Sequence, residues 1–292
     1  MLRQAPISSF SYHHSLIHFD STILQATRTL LLDHFWPLYP LSTVKLSRIV
    51  LDDGLISMDI FKNSIVRFKQ LRSLEFESTF ASDFILLWEV IGTLPSLATL
   101  SVKVVGSDPA GVSHATHAPQ NSKTQTHRSL GPKYFEALES LCLSRGSFSL
   151  IRHLLDTIDS PCLESIKVNP DINHVRNEHE LDLITSSMTI ITSKWSQSLK
   201  NLEIISRSRS MDGPNPFTIS KFLTHLMLLQ EMRTFCLTGW RMENVDDDVR
   251  HLVMSWPKLR TLGLFLSGNQ FIPLSTLKII AENCPELRQL HI

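Results

Sequence analysis

The chain has 292 residues, 42% of them hydrophobic and 19% charged, which is the composition of a folded globular protein with a sizeable core. Lysine plus arginine and aspartate plus glutamate both number 28, so the basic excess of nucleic-acid-binding proteins is missing, and we expect no nucleic-acid or membrane partner. The four cysteines are scattered and no signal peptide, glycosylation sequon or membrane span is visible, so we expect an intracellular protein, cytoplasmic or nuclear.

Helices are predicted from apolar residues spaced three and four apart, which is the period of one helix face. The clearest example is VDDDVRHLVMSW, which places Val249, Leu252 and Trp256 on one side. Ser82, Asp246 and Ser275 are predicted N-caps because their side chains can accept a hydrogen bond from the first helical turn. The predicted helices, in chain order, cover residues 55–68, 81–92, 148–158, 180–195, 218–230, 245–256 and 275–284.

A short strand is predicted wherever the chain carries the template L-x-x-L-x-L, with Ile, Val, Met or Phe also allowed at the apolar positions. Nine copies occur at intervals of 25 to 41 residues, more than a leucine-rich composition gives by chance. In four copies a proline stands two residues before the first apolar position, where it ends the preceding helix. The copies are Leu41–Val44–Leu46, Leu71–Leu74–Phe76, Leu97–Leu100–Val102, Leu138–Leu141–Leu143, Leu163–Ile166–Val168, Leu199–Leu202–Ile204, Met232–Phe235–Leu237, Leu259–Leu262–Leu264 and Leu287–Leu290–Ile292.

The repeating unit is therefore helix, tight turn, short strand and loop, and so short a strand needs parallel neighbours to build a core. Strands lie ~4.8 Å apart whereas helices need ~10 Å, so the helical side of such a stack is the longer one. The pattern predicts an α/β leucine-rich-repeat solenoid of about nine irregular repeats, shaped as a horseshoe with a concave parallel sheet and convex helices. We expect a single solenoid domain over residues 21–292 after a flexible or irregular N-terminus at residues 1–20.

Two stretches depart from the repeat. Residues 104–133 are rich in Ser, Thr, Pro, Gln and His and are predicted to be a flexible insertion, and residues 207–216 are predicted to be a shorter loop. The last copy, CPELRQLHI, should send Leu290 and Ile292 into the core as a strand. Because no polar cap follows it, we also expect an exposed C-terminal edge and a chain trimmed at that end.

From about residue 38 onward the chain resembles the leucine-rich-repeat region of fungal F-box proteins. The stretches DDDVRHLVMSWPKLRTLGL and STLKIIAENCPELRQLHI look like the Trp-Pro-x-Leu and Cys-Pro-x-Leu repeats of that family. The resemblance implies a substrate receptor whose repeats recruit a protein to a cullin-type ubiquitin ligase through a Skp-type adaptor. The first fifty residues contain no Leu-Pro-x-Glu-Ile pattern, so the adaptor would need an F-box outside this chain. The alternative is a free-standing leucine-rich-repeat scaffold or inhibitor without a ubiquitin role.

No nucleotide-binding loop or nucleophile elbow occurs, so we expect a protein that is not an enzyme and needs no cofactor. His114 and His117 have a spacing that could serve a metal, but they stand in the predicted insertion without a cysteine nearby. A solvated loop is the simpler interpretation, and no metal site is predicted.

The predicted binding surface is the concave face, formed by the strand positions between the buried apolar ones. This face should carry mixed charges at first and few charges towards the C-terminus. Aromatic residues near the last strand ends, Trp240, Phe265 and Phe271, serve either packing or a partner. The predicted protein-binding residues are Lys45, Glu75, Glu77, Ser101, Lys103, Lys167, Asn169, Asn201, Glu203, Thr238, Phe265 and His291.

Overall fold

The computed structural model describes residues 9–13, 43–49, 65, 66, 68–78, 81–104, 134–170, 178–206, 220–267 and 270–292. For residues 9–13, 43–49, 76–78, 81–86, 178–180 and 221 the description covers the backbone alone. These residues belong to two compact units, one of residues 1–138 with 158–160, the other of residues 139–157 with 161–292. Most of the predicted helix at 55–68, nearly all of the insertion at 104–133 and the loop at 207–216 lie outside the described residues. The single domain expected over residues 21–292 stays a prediction.

The described residues of the first unit form four parallel strands that pair in chain order. Its elements are β1 (Ser9–His13), β2 (Thr43–Ile49), β3 (Ser73–Ser78), α1 (Ala81–Gly92) and β4 (Thr99–Val104).

Among the described residues of the second unit there are six parallel strands, also paired in chain order, with one described helix between each strand and the next. Its elements are β5 (Ser140–Ser144), α2 (Phe148–Thr157), β6 (Ser165–Asn169), α3 (Glu178–Trp195), β7 (Asn201–Ile205), α4 (Ser220–Leu226), β8 (Thr234–Thr238), α5 (Val245–Ser255), β9 (Thr261–Phe265), α6 (Leu274–Asn283) and β10 (Gln289–His291). Parallel strands alternating with helices make this an α/β fold of the leucine-rich-repeat type.

Side chains alternate along the strands as the template requires. In β4, Leu100, Val102 and Val104 are buried, whereas Thr99 is exposed and Ser101 is partly exposed. The strands β5, β7 and β8 follow the same pattern. One face of these strands therefore enters the core, and the other carries the polar residues between the apolar ones.

The strand starts are joined by shared backbone carbonyls. The carbonyl oxygen of Glu164, just before β6, accepts hydrogen bonds from the backbone N–H groups of Lys200 at 2.8 Å and Asn201 at 2.9 Å. The same two-donor arrangement joins the residue before a strand to the start of the next strand at Arg72, Glu139, Lys200, Arg233 and Arg260. We call this series the carbonyl ladder. It satisfies the strand-entry N–H groups and sets the register of each strand against its neighbour.

β1 corrects the prediction for the N-terminal residues 1–20, where no strand was expected. Residues Ser9–His13 pair in parallel with β2, which places Phe10 beside Val44 and Tyr12 beside Leu46. The template does not match this strand, because its last apolar position holds Tyr12 and the template allows no tyrosine.

β10 shows the expected open edge but not the expected burial. All three of its residues are exposed, and Leu290 and Ile292 keep 37% and 58% of their surface in solvent. The prediction that both side chains enter the core was wrong. Burial of a solenoid strand needs a neighbour on each side, and β10 pairs only with β9 among the described strands.

The helices α3 and α5 are each anchored by a tryptophan at the C-terminal end. Trp195, at the end of α3, and Trp256, just after α5, are fully buried. The Trp256 ring lies 4.9 Å from that of Phe235 in β8, and its indole N–H donates to the Leu226 carbonyl at 3.3 Å. The four prolines that were predicted to end helices, at positions 95, 161, 257 and 285, all stand in turns directly before strands.

α4 is shorter than the predicted helix at residues 218–230. After Leu226 the hydrogen bonding changes: Leu228 donates to the carbonyl of His225 and Leu229 to that of Leu226, which are three residues back rather than four. This tighter turn ends the α-helix and directs Leu229 into the core.

Two of the predicted N-caps were wrong. The N-cap of α5 is Asn244, whose side chain accepts from the Asp247 N–H, and α6 begins after Pro273 without a side-chain cap. Asp246 instead joins the two helices, since its carboxylate accepts hydrogen bonds from Ser275 Oγ at 2.7 Å and from Thr276 Oγ1. These bonds, first that of Thr276 and then that of Ser275, lower the pKa of Asp246 below its ordinary value of 3.8.

We expect Asp246→Ala to destabilise the second unit near neutral pH but not in strong acid. Hydrogen bonds from the hydroxyls favour the carboxylate, so its pKa is lower folded than unfolded. Its stabilising contribution is therefore present above the ordinary pKa and is lost as the pH falls through the depressed value. Urea unfolding of both proteins at about pH 7 and about pH 3 measures this. Glu282→Ala is the matched control, since among the described residues Glu282 makes a single, exposed contact, with Lys278 at 3.8 Å. A difference from the native chain that stays constant between the two pH values would contradict the assignment.

Candidate functional site

The solvent-facing side chains of the second unit form rows that cross its strands. Register pairs Ser140, Ser165, Asn201, Thr234, Thr261 and Gln289 in a first row, at the strand starts. A middle row, two residues further along each strand, consists of Cys142, Lys167, Glu203, Cys236, Gly263 and His291. We call these rows, together with the strand-end residues Thr238 and Phe265, the strand face.

An ion pair occupies the centre of the middle row. Lys167 Nζ lies 2.7 Å from Glu203 Oε2, and the two side chains keep 41% and 34% of their surface exposed. These two predicted binding residues are therefore brought together on neighbouring strands. At such exposure the pair contributes roughly 0–1 kcal/mol to stability, so its main effect is to offer both charges at one place on the surface.

In the same row Gly263 is buried and closely covered by its neighbours. A methyl group there would stand 2.9 Å from Cys236 Sγ and 3.5 Å from the Phe265 ring. Burial raises the pKa of the Cys236 thiol and Glu203 raises it further, whereas the Thr238 hydroxyl and Lys167 lower it. Cys236 is therefore a mostly protonated, weakly polar group that covers Gly263.

Two aromatic rings stack on each other across the last two strands of this face. Phe265 is 46% exposed, and its ring stacks on that of His291 with 6.5 Å between centroids and 25° between planes. Phe271 is also exposed, whereas Trp240 is buried against Phe222 and belongs to the core. Of the three aromatic residues, Trp240 therefore serves packing, and a partner for Phe265 or Phe271 stays a prediction.

Asn169 is not part of this surface, contrary to prediction. It is 6% exposed, and its carbonyl oxygen accepts a hydrogen bond from the Arg145 N–H at 2.6 Å. The regular alternation fails at the end of β6, where Val168 and Asn169 are both buried. Arg145, with a φ of 65°, turns the chain after β5 against this strand end.

The predicted residues of the first unit also fall into register. Lys45 stands beside Glu75 and Glu75 beside Ser101, while Glu77 stands beside Lys103. Glu75 is exposed, and Ser101 and Lys103 are partly exposed. The side chains of Lys45 and Glu77 lie outside the described ones. Opposite charges on adjacent strands are thus a property of both units.

The prediction missed a row of cations at the start of the strands. The residues just before β6 to β10 line a groove of about 430 Å³ together with the first residues of β7 to β10. Four of these preceding residues are the cations Lys200, Arg233, Arg260 and Arg288, and the fifth is the carboxylate Glu164. The signal was available in the sequence, because each occupies the position after the first apolar residue of the template.

None of the four cysteines, all of which are described, forms a disulfide. Over the described ranges no three His, Cys, Asp or Glu side chains come together as a metal site, and no helix is both long and apolar enough to cross a membrane. His114 and His117 lie outside those ranges.

We expect Cys284 to react with a thiol reagent far more slowly than Cys162. Cys284 is buried, and this burial raises its pKa to about 11 from an ordinary 9.0, whereas Cys162 is exposed. At about pH 8 the thiolate fraction of Cys284 is then roughly a hundredfold below that of an ordinary thiol. Labelling of native protein followed by peptide mass analysis measures both rates, with urea-unfolded protein as the control. Equal native rates would contradict the described burial.

Neither the family models nor the curated proteins give a match to this sequence. Solved structures do: one that the chain is similar to is described as "Crystal structure of TLR13-ssRNA13 complex", with a TM-score of 0.43 and 12% sequence identity. The similarity covers 88% of this chain and 33% of that one, so the chain spans about a third of the length of the solved protein.

Proposed function

We propose that the chain is a non-catalytic protein-recognition module whose partner binds across the strand face. The observation that carries this proposal is the register of β5 to β10, which repeats one solvent-facing position every ~4.8 Å over six strands. A rigid array of this kind is preorganised, so little side-chain or backbone freedom is lost on binding.

The residue types on the strand face support a protein partner. The Lys167–Glu203 ion pair, the partly exposed Cys236 and the Phe265–His291 stack lie along neighbouring strands. Exposed aromatic rings with charged groups around them are the features that anchor protein interfaces.

Site-specific photo-crosslinking in cells that express the gene tests this proposal. A benzophenone amino acid replaces Cys236 or Phe265 on the strand face, and Arg152 in α2 or Met254 in α5 as matched exposed controls. We expect the strand-face positions to give one protein adduct of common mass and the helix positions to give none. Adducts from the helices alone, or equally from both surfaces, would overturn the assignment of the face.

We further propose that the full-length protein recruits its partner to a cullin-type ubiquitin ligase through a Skp-type adaptor, by means of an F-box outside this chain. The resemblance of the two C-terminal repeats to fungal F-box proteins supports this. The test is purification of the full-length gene product under native conditions. Recovery of Skp and cullin subunits is expected, and a complex that contains the crosslinked partner but neither subunit favours the free-standing scaffold or inhibitor.

A further inference from the structure

The groove at the starts of β6 to β10 has a local charge that the whole chain does not have. Its lining contains four cations and one carboxylate, although the chain has equal numbers of acidic and basic residues. The cations follow one another on successive strands, so their Cα atoms are spaced by the ~4.8 Å between parallel strands. Such a row attracts an anionic ligand along its length.

Two of the four cations have their charge already matched. Lys200 pairs with Glu164, and Arg260 Nε donates to Glu286 Oε2 at 3.0 Å. Arg233 and Arg288 make no ion pair or side-chain hydrogen bond within the described part of the chain. Glu231, next but one to Arg233, binds Lys258 at 2.6 and 2.8 Å, and Arg233 acts on it only through space: its charge, after that of Lys258, helps to lower the pKa of Glu231.

The backbone N–H groups along this groove are already used in hydrogen bonds within the protein. The N–H groups of Arg233 and Thr234 donate to the Lys200 carbonyl at 2.7 and 3.0 Å, and those of Arg288 and Gln289 donate to the Arg260 carbonyl. Because the carbonyl ladder uses these donors, an anion here is bound by the guanidinium groups. Their planar pair of N–H donors matches a carboxylate.

We infer that this groove binds an acidic, extended segment of a partner protein, with Arg233 and Arg288 as its anchors. The two anchors are two strands apart, which separates their Cα atoms by ~9.6 Å. A polyproline II segment places residues i and i+3 on one side, ~9.3 Å apart. The best-matched ligand therefore has carboxylates at every third residue. Within the described lining there is no aromatic side chain on which a base could stack, which favours an acidic protein segment over single-stranded nucleic acid.

This inference rests on the proposed recognition function and names the chemistry of one part of the partner. Its test uses a labelled peptide of four Glu-Pro-Pro repeats, the same peptide with Gln for Glu, and a labelled decauridine, each titrated by fluorescence anisotropy. The variant is Arg233→Ala with Arg288→Ala. The control, Arg152→Ala with Arg250→Ala, removes two exposed arginines from helices and keeps the net charge equal.

We expect the Glu peptide to bind, the Gln peptide not to bind, and the groove variant to lose roughly 25-fold in affinity, or about fivefold for each arginine. The control variant should stay within about twofold, and salt raised from about 50 to about 300 mM should weaken binding. Equal loss in both variants, equal binding of the Gln peptide, no binding of the Glu peptide, or preferential binding of decauridine that depends on Arg233 and Arg288 would each overturn the inference. Crosslinking from Phe265 in the groove variant separates the two proposals, because an adduct that persists there leaves the recognition function standing.

Discussion

Trp256→Ala is expected to lower the free energy of unfolding of the second unit by about 4 kcal/mol. The ring is fully buried, packs on Phe235 and donates to the Leu226 carbonyl at 3.3 Å. The substitution removes a large apolar volume between α4, α5 and β8 and leaves a buried carbonyl without its donor. Urea unfolding followed by circular dichroism measures the loss.

Trp256→Phe is the matched control for this prediction. Phenylalanine keeps an aromatic ring against Phe235 but has no N–H for Leu226, so about 1–2 kcal/mol should be lost. A loss for alanine no larger than that for phenylalanine would show that the cavity collapses and that the ring is not an anchor. Hydrogen exchange should locate the effect of alanine in α4 and α5 first.

Gly239→Ala is the second large effect, and we expect it to cost about 3 kcal/mol or more. Gly239 follows β8 with a φ of +76°, a conformation that L side chains rarely adopt. A methyl group there would lie 2.1 Å from the Ser206 carbonyl oxygen. Relief of this clash would disturb the bond from the Gly239 N–H to the Phe265 carbonyl, and with it the aromatic end of the strand face.

Gly146→Ala provides the control for a glycine in the same unit. Its backbone is not in the left-handed region, and the nearest atom to an added methyl group is Leu150 Cδ2 at an ordinary 3.4 Å. Its stability should stay within about 1 kcal/mol of the native chain. If both variants unfold at the same urea concentration, the strain assigned to Gly239 is absent.

The repeating strands could be predicted because one template combines two periods. The apolar positions of Leu262 and Leu264 have the spacing of a strand, and Pro257 marks the end of the helix before them. The same logic failed for β1 only because Tyr12 fills an apolar position. The roles of Asp246 and Ser275 could not be predicted, because Asp246 accepts hydrogen bonds from the next helix instead of capping its own. The end of α4 depends on a change to a tighter turn after Leu226, which the apolar spacing does not mark.

The candidate site was predictable as rows but not as individual contacts. Once the template sets the register, Lys167 must stand beside Glu203, and Phe265 near His291. The burial of Asn169 depends on the turn at Arg145, which no strand pattern encodes. The basic groove was visible as a column of charges in the template. Which of the groove cations pair with Glu164 and Glu286, and which do not, depends on side-chain geometry.

The carbonyl ladder makes the spacing of the strands independent of the number of residues between them. Between the ladder carbonyls of the second unit the chain runs for 25 to 36 residues, yet every strand enters at the same position against its neighbour. Extra residues are taken up by helix and loop, as in the 18-residue α3, and leave the distance between successive strand starts unchanged. The helical side can therefore gain or lose segments without a change in the spacing of the strands. Because every strand keeps its register, substitutions in one strand can change the surface there and leave the neighbouring strands in place.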